Sequence, residues 1–60
     1  MKADLLEMIE GLQRAVEDMD RFEKGNDAAG RRVRKVCSEV AKSCKGIRVS
    51  VQEIRNNRKS

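Results

Sequence analysis

Apolar residues in the second half of this 60-residue chain recur at alternating intervals of four and three residues. This spacing keeps them on one face of an α-helix, and it is the strongest periodic signal in the sequence. We call these seven residues the second row: Val33, Cys37, Val40, Cys44, Ile47, Val51 and Ile54. The same alternation gives a shorter first row: Leu5, Ile9, Leu12, Val16 and Met19. The two rows predict an all-α fold of two helices with coiled-coil-like packing along these seams.

The segment between the rows carries signals for the end of one helix and the start of another. Gly25 can adopt the left-handed conformation that ends a helix, and Asn26 or Asp27 can cap the next helix through a side-chain oxygen. We therefore predict one antiparallel hairpin domain over 1–60, with helices at about 3–24 and 27–56, a joint at 25–26 and a frayed tail at 57–60. Because the chain has no proline, a single continuous helix is the alternative.

Charge is divided at the same joint. Residues 1–24 carry seven acids and four bases, a net charge of −3, whereas residues 25–60 carry ten bases and three acids, a net of +7. Opposite net charges favour antiparallel docking of the two segments. The surplus of positive charge in the second segment suits a polyanionic partner.

A hairpin of this size covers each apolar row from one direction only. A 60-residue domain buries only about 60% of its unfolded surface, which makes a single small core marginal. Pairing of two hairpins into an antiparallel four-helix bundle would close the core without any new sequence element. We therefore expect a homodimer.

Several function classes lack support in the composition. The chain has no histidine, no tyrosine and no tryptophan, and no nucleophile–base pair or phosphate-cradling glycine loop is present, so we expect no enzyme, cofactor or small-molecule substrate. Cys37 and Cys44 lack the close pairing typical of zinc sites, and we expect them to be small buried residues of the seam, with an intersubunit disulfide as the alternative. No apolar run is long enough for a membrane span, and an intracellular location is expected.

Basic residues of the second segment avoid the seven seam positions, which leaves them free to meet solvent or a partner. At this density Arg and Lys contact phosphates without reading bases, and the sequence lacks aromatic platforms for stacking. The alternative is a solvated face that pairs with acids of the first segment, such as Glu17, Asp20 and Glu23. The candidate phosphate-binding residues are Arg31, Arg32, Arg34, Lys35, Lys42, Lys45, Arg48 and Arg55.

The joint also carries a family resemblance. The stretch Glu23-Lys24-Gly25-Asn26-Asp27-Ala28-Ala29-Gly30-Arg31-Arg32-Val33-Arg34-Lys35 resembles the chlamydial linker-histone-like DNA-condensing proteins and their short bacterial relatives. Those proteins share an acidic helix, a Lys-Gly-Asn joint, an Ala-Ala pair and an Arg-Val-Arg step, and residues 47–56 resemble the ends of the short members. The resemblance implies a cytoplasmic, nucleoid-associated protein that condenses the chromosome by binding DNA non-specifically. The matching basic positions are Arg32, Arg34 and Lys35.

These observations lead to one principal hypothesis and one rival. The first is a dimeric helical hairpin that binds DNA phosphates through its basic helix, without sequence preference and with strong salt dependence. The rival is a structural or assembly protein, such as a coiled-coil adaptor or a capsid-associated component, whose basic arm pairs with acidic protein surfaces. The sequence leaves open the choice between DNA and RNA.

Overall fold

Two α-helices make up the structure. A computed structural model describes residues 1–59, with residue 59 described by its backbone alone. Over these residues the chain forms α1 (Lys2–Glu23) and α2 (Asp27–Lys59), which pack against each other as a hairpin with principal extents of 55 × 15 × 11 Å. The all-α prediction and the two-helix hairpin are confirmed, and the single continuous helix is excluded.

The joint uses the residues that the sequence singled out. Gly25 has a positive φ of 109°, and its N–H donates to the carbonyl oxygen of Phe22 at 2.9 Å. The N–H of Asn26 donates to the carbonyl oxygen of Arg21 at 3.0 Å. These two bonds form a Schellman motif, which satisfies carbonyls at the end of α1. The side chain of Asn26 then accepts a hydrogen bond from the N–H of Ala29 at 3.1 Å, so Asn26 is the cap of α2.

The far end of α2 extends beyond the predicted boundary at residue 56. The helix continues to Lys59, so residues 57–59, predicted as frayed, are helical, while Ser60 lies outside the described residues. No glycine or proline follows Gly46, so Asn56 and Asn57 are the candidate stop signals after the second row, and the helix continues through both. A side-chain hydrogen bond of 3.2 Å from Gln52 to Asn56 adds support across the last turns.

Small side chains line the contact between the helices. Ala29 is fully buried, Ala15 is 7% exposed, and a Cβ placed on Gly11 would lie 3.7 Å from Cγ1 of Val36. In α1 the residues turned toward α2 are Met8, Gly11, Ala15 and Asp18, which have the same alternating spacing as the first row. We call these four residues the contact row. The prediction that the first row lines the contact is therefore wrong, because the small residues allow a closer approach of the two backbones.

The first row instead lies beside the contact. Its members Ile9, Leu12, Val16 and Met19 each follow a contact-row residue by one position, which turns them by about 100° around the helix axis. Val16 is 71% exposed and Leu12 is 43% exposed. In the second row Cys37 and Cys44 are also exposed, although they were predicted to be buried.

The first row and part of the second row lie on the same side of the hairpin. The Sγ atom of Cys44 is 4.0 Å from the Sδ atom of Met8, and Met19 and Phe22 border one groove together with Val33. In a right-handed helix the residue that follows a contact residue is rotated by about 100° around the helix axis. Because the two helices are antiparallel, this rotation places the following residue on the same side of the hairpin in both helices. The first row thus forms one surface, the apolar face, with Cys37, Cys44 and Val51 of the second row, whereas Val33, Val40 and Ile47 of that row are half-buried toward α1.

Candidate nucleic-acid interface

The outer side of α2, directed away from α1, carries a run of exposed basic residues. Between residues 28 and 58, acids occur in α2 only at Glu39 and Glu53, and both stand on the flank nearer to α1. Arg31 and Arg55, the first and last of the outward bases, are 24 residues apart, which corresponds to about 36 Å along the helix. We call this surface the cationic face; its members are Arg31, Arg34, Lys35, Lys42, Lys45, Arg48 and Arg55.

The described residues provide no carboxylate that neutralises a member of the cationic face. In the described part of the chain the ion pairs of the basic side chains involve Arg21, Lys24 and Arg32, and none of the seven takes part. All seven residues are exposed. The arrangement therefore presents a helix surface of unpaired positive charge, which is the electrostatic footprint of a polyanion-binding protein.

Arg32, the eighth predicted phosphate ligand, has a different environment. Its Nε donates to Oδ2 of Asp18 at 3.1 Å and its Nη2 donates to Oδ1 at 3.0 Å. This two-point contact joins α2 to α1, with planar geometry that suits a carboxylate. Arg32 thus pairs with α1 at the edge of the helix contact, although its side chain is 53% exposed, and we do not include it in the cationic face.

Asp18 is the centre of a three-residue cluster. It is 8% exposed, and Nη1 of Arg21 also donates to its Oδ1 at 3.0 Å. The hydrogen bond from Arg32 lowers the pKa of the Asp18 carboxyl from its ordinary value of 3.8, against the opposing effect of burial, and the bond from Arg21 adds to the lowering. The same pair raises the pKa of Arg32. Asp18 therefore carries the negative charge that fixes both guanidinium groups.

The acids named from the sequence as possible partners of the basic residues are Glu17, Asp20 and Glu23, and Asp18 is not among them. The signal that distinguishes Asp18 is its position three residues after Ala15 and seven after Gly11, on the row of small residues. Glu17 and Asp20 point elsewhere and are exposed.

The side of the hairpin opposite the apolar face is acidic. A groove there is lined by Glu7, Glu10 and Glu39, with Arg14 among them. Like charge disfavours the approach of phosphates to this side. The hairpin therefore has three distinct surfaces: the apolar face, the acidic groove and the cationic face.

We also searched the described residues for metal sites and for membrane-spanning helices. Over residues 1–59, no three His, Cys, Asp or Glu side chains gather in a way that could hold a metal ion. Neither helix has a described stretch that is long and apolar enough to cross a membrane.

Comparison with known proteins identifies a family that the chain matches. The model of a protein family described as histone H1-like protein Hc1 matches residues 2–57. No curated protein and no solved structure matches the chain significantly. The matched range covers α1, the joint and nearly all of α2, and it confirms the resemblance noted at the joint.

Proposed function

The chain belongs to the histone H1-like protein Hc1 family, and from this premise we propose that it is a nucleoid-associated protein that binds DNA without sequence preference. The cationic face is the binding surface in this proposal. The observation that carries it is the row of seven exposed, unpaired cations on the outer side of α2. A helix of this kind laid along a duplex neutralises phosphates and releases condensed counterions.

The length of the cationic face suits a duplex. About 36 Å of helix is close to the 34–36 Å of one turn of B-form DNA. Contacts to the backbone fix the position of a protein on DNA but carry no sequence information. Base recognition has no aromatic support, because Phe22 is the only aromatic residue of the chain and its ring packs against Gly30.

We also propose that two hairpins associate through the apolar face. Ala15 and Ala29 are the buried hydrophobic residues of the described chain, and no large side chain there is fully buried. Exposed apolar surface of this extent marks an interaction site. A second copy of the chain carries the same apolar face, so it can cover this surface along its whole length.

The rival hypothesis of an assembly protein with a basic arm receives no support from the family match. It predicts that the basic side chains form ion pairs with acids of another subunit. DNA binding predicts that they stay open on a continuous face, which is their arrangement in the single hairpin. The proposal includes a cytoplasmic location at the nucleoid. It also includes a role in chromosome condensation.

The experiment is a DNA titration at several salt concentrations with two charge-matched variants. If about six phosphates are neutralised, the affinity should fall with salt at a logarithmic slope of about −5. The variant R34Q/K42Q/R48Q removes three cations from the cationic face, and K2Q/R14Q/K24Q removes three from outside it. We expect the first variant to lose most of its affinity for all sequences alike, and the second to lose little.

Two results would contradict the proposal. One is an absence of binding at low salt, and the other is an equal loss of affinity in both variants, which would indicate that only the net charge matters. Circular dichroism of each variant shows whether helicity is kept. The oligomeric state is measured in the same samples.

A further inference from the structure

We infer that the dimer forms by packing α1 of one hairpin on α2 of the other, around a two-fold axis parallel to the helices, and that it thereby bridges two DNA duplexes. The inference rests on the proposed function, because it assumes that the cationic face binds DNA. It adds to that function the way in which the second hairpin packs on the first and the number of DNA duplexes that the dimer holds. The alternative arrangement packs α2 against α2 and α1 against α1, around an axis perpendicular to the helices.

Side-chain size favours the mixed pairing. The part of the apolar face that α1 supplies consists mainly of large side chains, with Leu5, Ile9 and Leu12 between 43% and 51% exposed. The central part that α2 supplies is small, with the exposed Cys37 and Cys44. Large residues of one helix against small residues of the other fill the space between two layers better than large against large.

Charge favours the same pairing. Residues 1–24 have a net charge of −3 and residues 25–60 a net of +7, so α1 on α2 joins segments of opposite sign. In the alternative arrangement Arg34 and Arg48, which border the apolar face of α2, would line one seam from both copies. Like charges placed together in this way cost binding energy, whereas opposite charges steer the encounter.

Contacts within one hairpin show which residues of α1 and α2 lie at the same height, that is, at the same position along the helix axes. Asp18 is level with Arg32, and Met8 is level with Cys44, as their contacts show. Rotation about an axis parallel to the helices leaves heights unchanged, so the partner's residues occupy the same levels. Asp20, two positions beyond Asp18, thus comes level with the partner's Arg31 at the edge of the interface. Ile9, one position beyond Met8, comes level with the partner's Cys44.

The consequence concerns the ligand. In the mixed arrangement the two α2 helices occupy diagonally opposite corners of the four-helix bundle. Their cationic faces then point in opposite directions, and each can hold a separate duplex. In the alternative arrangement the two α2 helices are neighbours, and their cationic faces merge into one surface for a single duplex.

Disulfide formation tests the arrangement. The variant I9C/C37S retains one thiol on each helix, at positions 9 and 44. With diamide, which takes up the two electrons and two protons of the thiols, we expect most of the chain to form a covalent dimer. The matched control E10C/C37S has its new thiol beside the acidic groove, and we expect no covalent dimer. V16C/C44S gives a second pair, with native Cys37, should the first variant lose helicity.

Oxidation of the unmodified chain tests the alternative arrangement, in which α2 packs on α2. If α2 packs on α2, Cys37 and Cys44 of two copies can meet, and oxidation of the native chain gives covalent dimers. That result, or an absence of covalent dimers in both I9C/C37S and V16C/C44S while helicity is kept, overturns the arrangement.

Capture of a second duplex tests the consequence. Bead-bound DNA with the oxidised I9C/C37S dimer should recover a free labelled duplex of unrelated sequence, at least ten times above the level without protein. If the dimer binds the bead-bound DNA but recovers no second duplex, the inference fails and the proposed function stands. If it binds no DNA at all, the proposed function fails, while the disulfide result still decides the arrangement.

Discussion

The aromatic ring of Phe22 fills the space that a side chain at position 30 would occupy. A Cβ built on Gly30 would lie 2.5 Å from Cδ1 and 2.8 Å from Cε1 of this ring. Since real Cβ atoms do not approach other heavy atoms so closely, Gly30 allows Phe22 to lie flat against the start of α2. This contact joins the last turn of α1 to the first turns of α2, next to the joint.

The first prediction concerns this contact. We expect G30A to lower the free energy of unfolding, because overpacking costs about 1–3 kcal/mol and exceeds the gain of about 1 kcal/mol in helix propensity. The matched control is G46A, where a Cβ would meet nothing within 4 Å. We expect G46A to stabilise the protein by up to about 1 kcal/mol. Urea unfolding followed by circular dichroism measures both, and an equal gain in the two variants would contradict the role of Phe22.

The second prediction concerns the joint. Gly25 has a φ of 109°, and side chains at such angles are strained. We expect G25A to cost about 1–2 kcal/mol of the free energy of unfolding. G25N should cost less, because asparagine tolerates left-handed conformations better than alanine does. Thermal unfolding of the two variants in parallel measures the order, and the reverse order would argue against a cap at this position.

The third prediction separates the role of Arg32 from that of Arg34. R32Q removes both hydrogen bonds to Asp18 and should lower the melting temperature while changing the salt dependence of DNA binding little. R34Q removes an exposed cation of the cationic face. It should leave the melting temperature unchanged and reduce the salt slope by about one. If R32Q reduces the slope as much as R34Q does, Arg32 contacts phosphate as well.

The fourth prediction concerns acid stability. The pKa of Asp18 is lowered in the folded chain, so its ionised form stabilises the fold at pH values above 3.8, and this stabilisation is lost as the pH falls through the lower folded value. We expect D18N to remove this dependence and to lower the melting temperature at pH 7.

The control for D18N is D20N, since Asp20 pairs with Lys24 on the exposed surface of α1. An exposed pair of this kind contributes little to stability. Melting curves between pH 2.5 and pH 7 should therefore converge for D18N and the unmodified chain at low pH, while D20N follows the unmodified chain throughout. If the melting temperatures of all three chains coincide at every pH, the Asp18 cluster contributes nothing to stability.

The fifth prediction concerns the apolar face. L12S/V16S replaces two residues of the first row that are 43% and 71% exposed in the single hairpin. We expect the dimer to dissociate, with at least a hundredfold rise in its dissociation constant, because two large apolar groups would no longer be buried. Sedimentation measures this change. Q13S, on the outer side of α1, is the control and should leave the dimer intact.

The joint could be predicted from sequence because its signals are local. Gly25 and Asn26 act through backbone geometry and a side-chain cap, and neither depends on the rest of the fold. The pairing of faces could not be predicted in the same way. The first row and the contact row differ by a one-residue shift and have the same alternation of four and three. Periodicity shows which residues share a helix face, but it does not show which face meets the partner helix.

The presence of a basic surface on α2 could be predicted from the sequence, but the full list of its members could not. The excess of bases in α2 and the absence of acids on its outer side follow from composition and helix geometry. That Arg32, one of four cations within five residues, pairs internally depends on where Asp18 lies in the hairpin. The row of small residues through Gly11 and Ala15 indicates that position, once small side chains are given the same weight as large ones.

The small number of buried residues in the described chain, Ala15, Ala29 and Asp18, has a consequence for how much of this protein a cell must make. With so little buried by one copy alone, we expect helix formation and pairing to occur as a single equilibrium. Dilution alone should then unfold the chain. Below a threshold abundance the protein would be an unstructured and inactive peptide, so the rate of its synthesis would act as the switch for its activity.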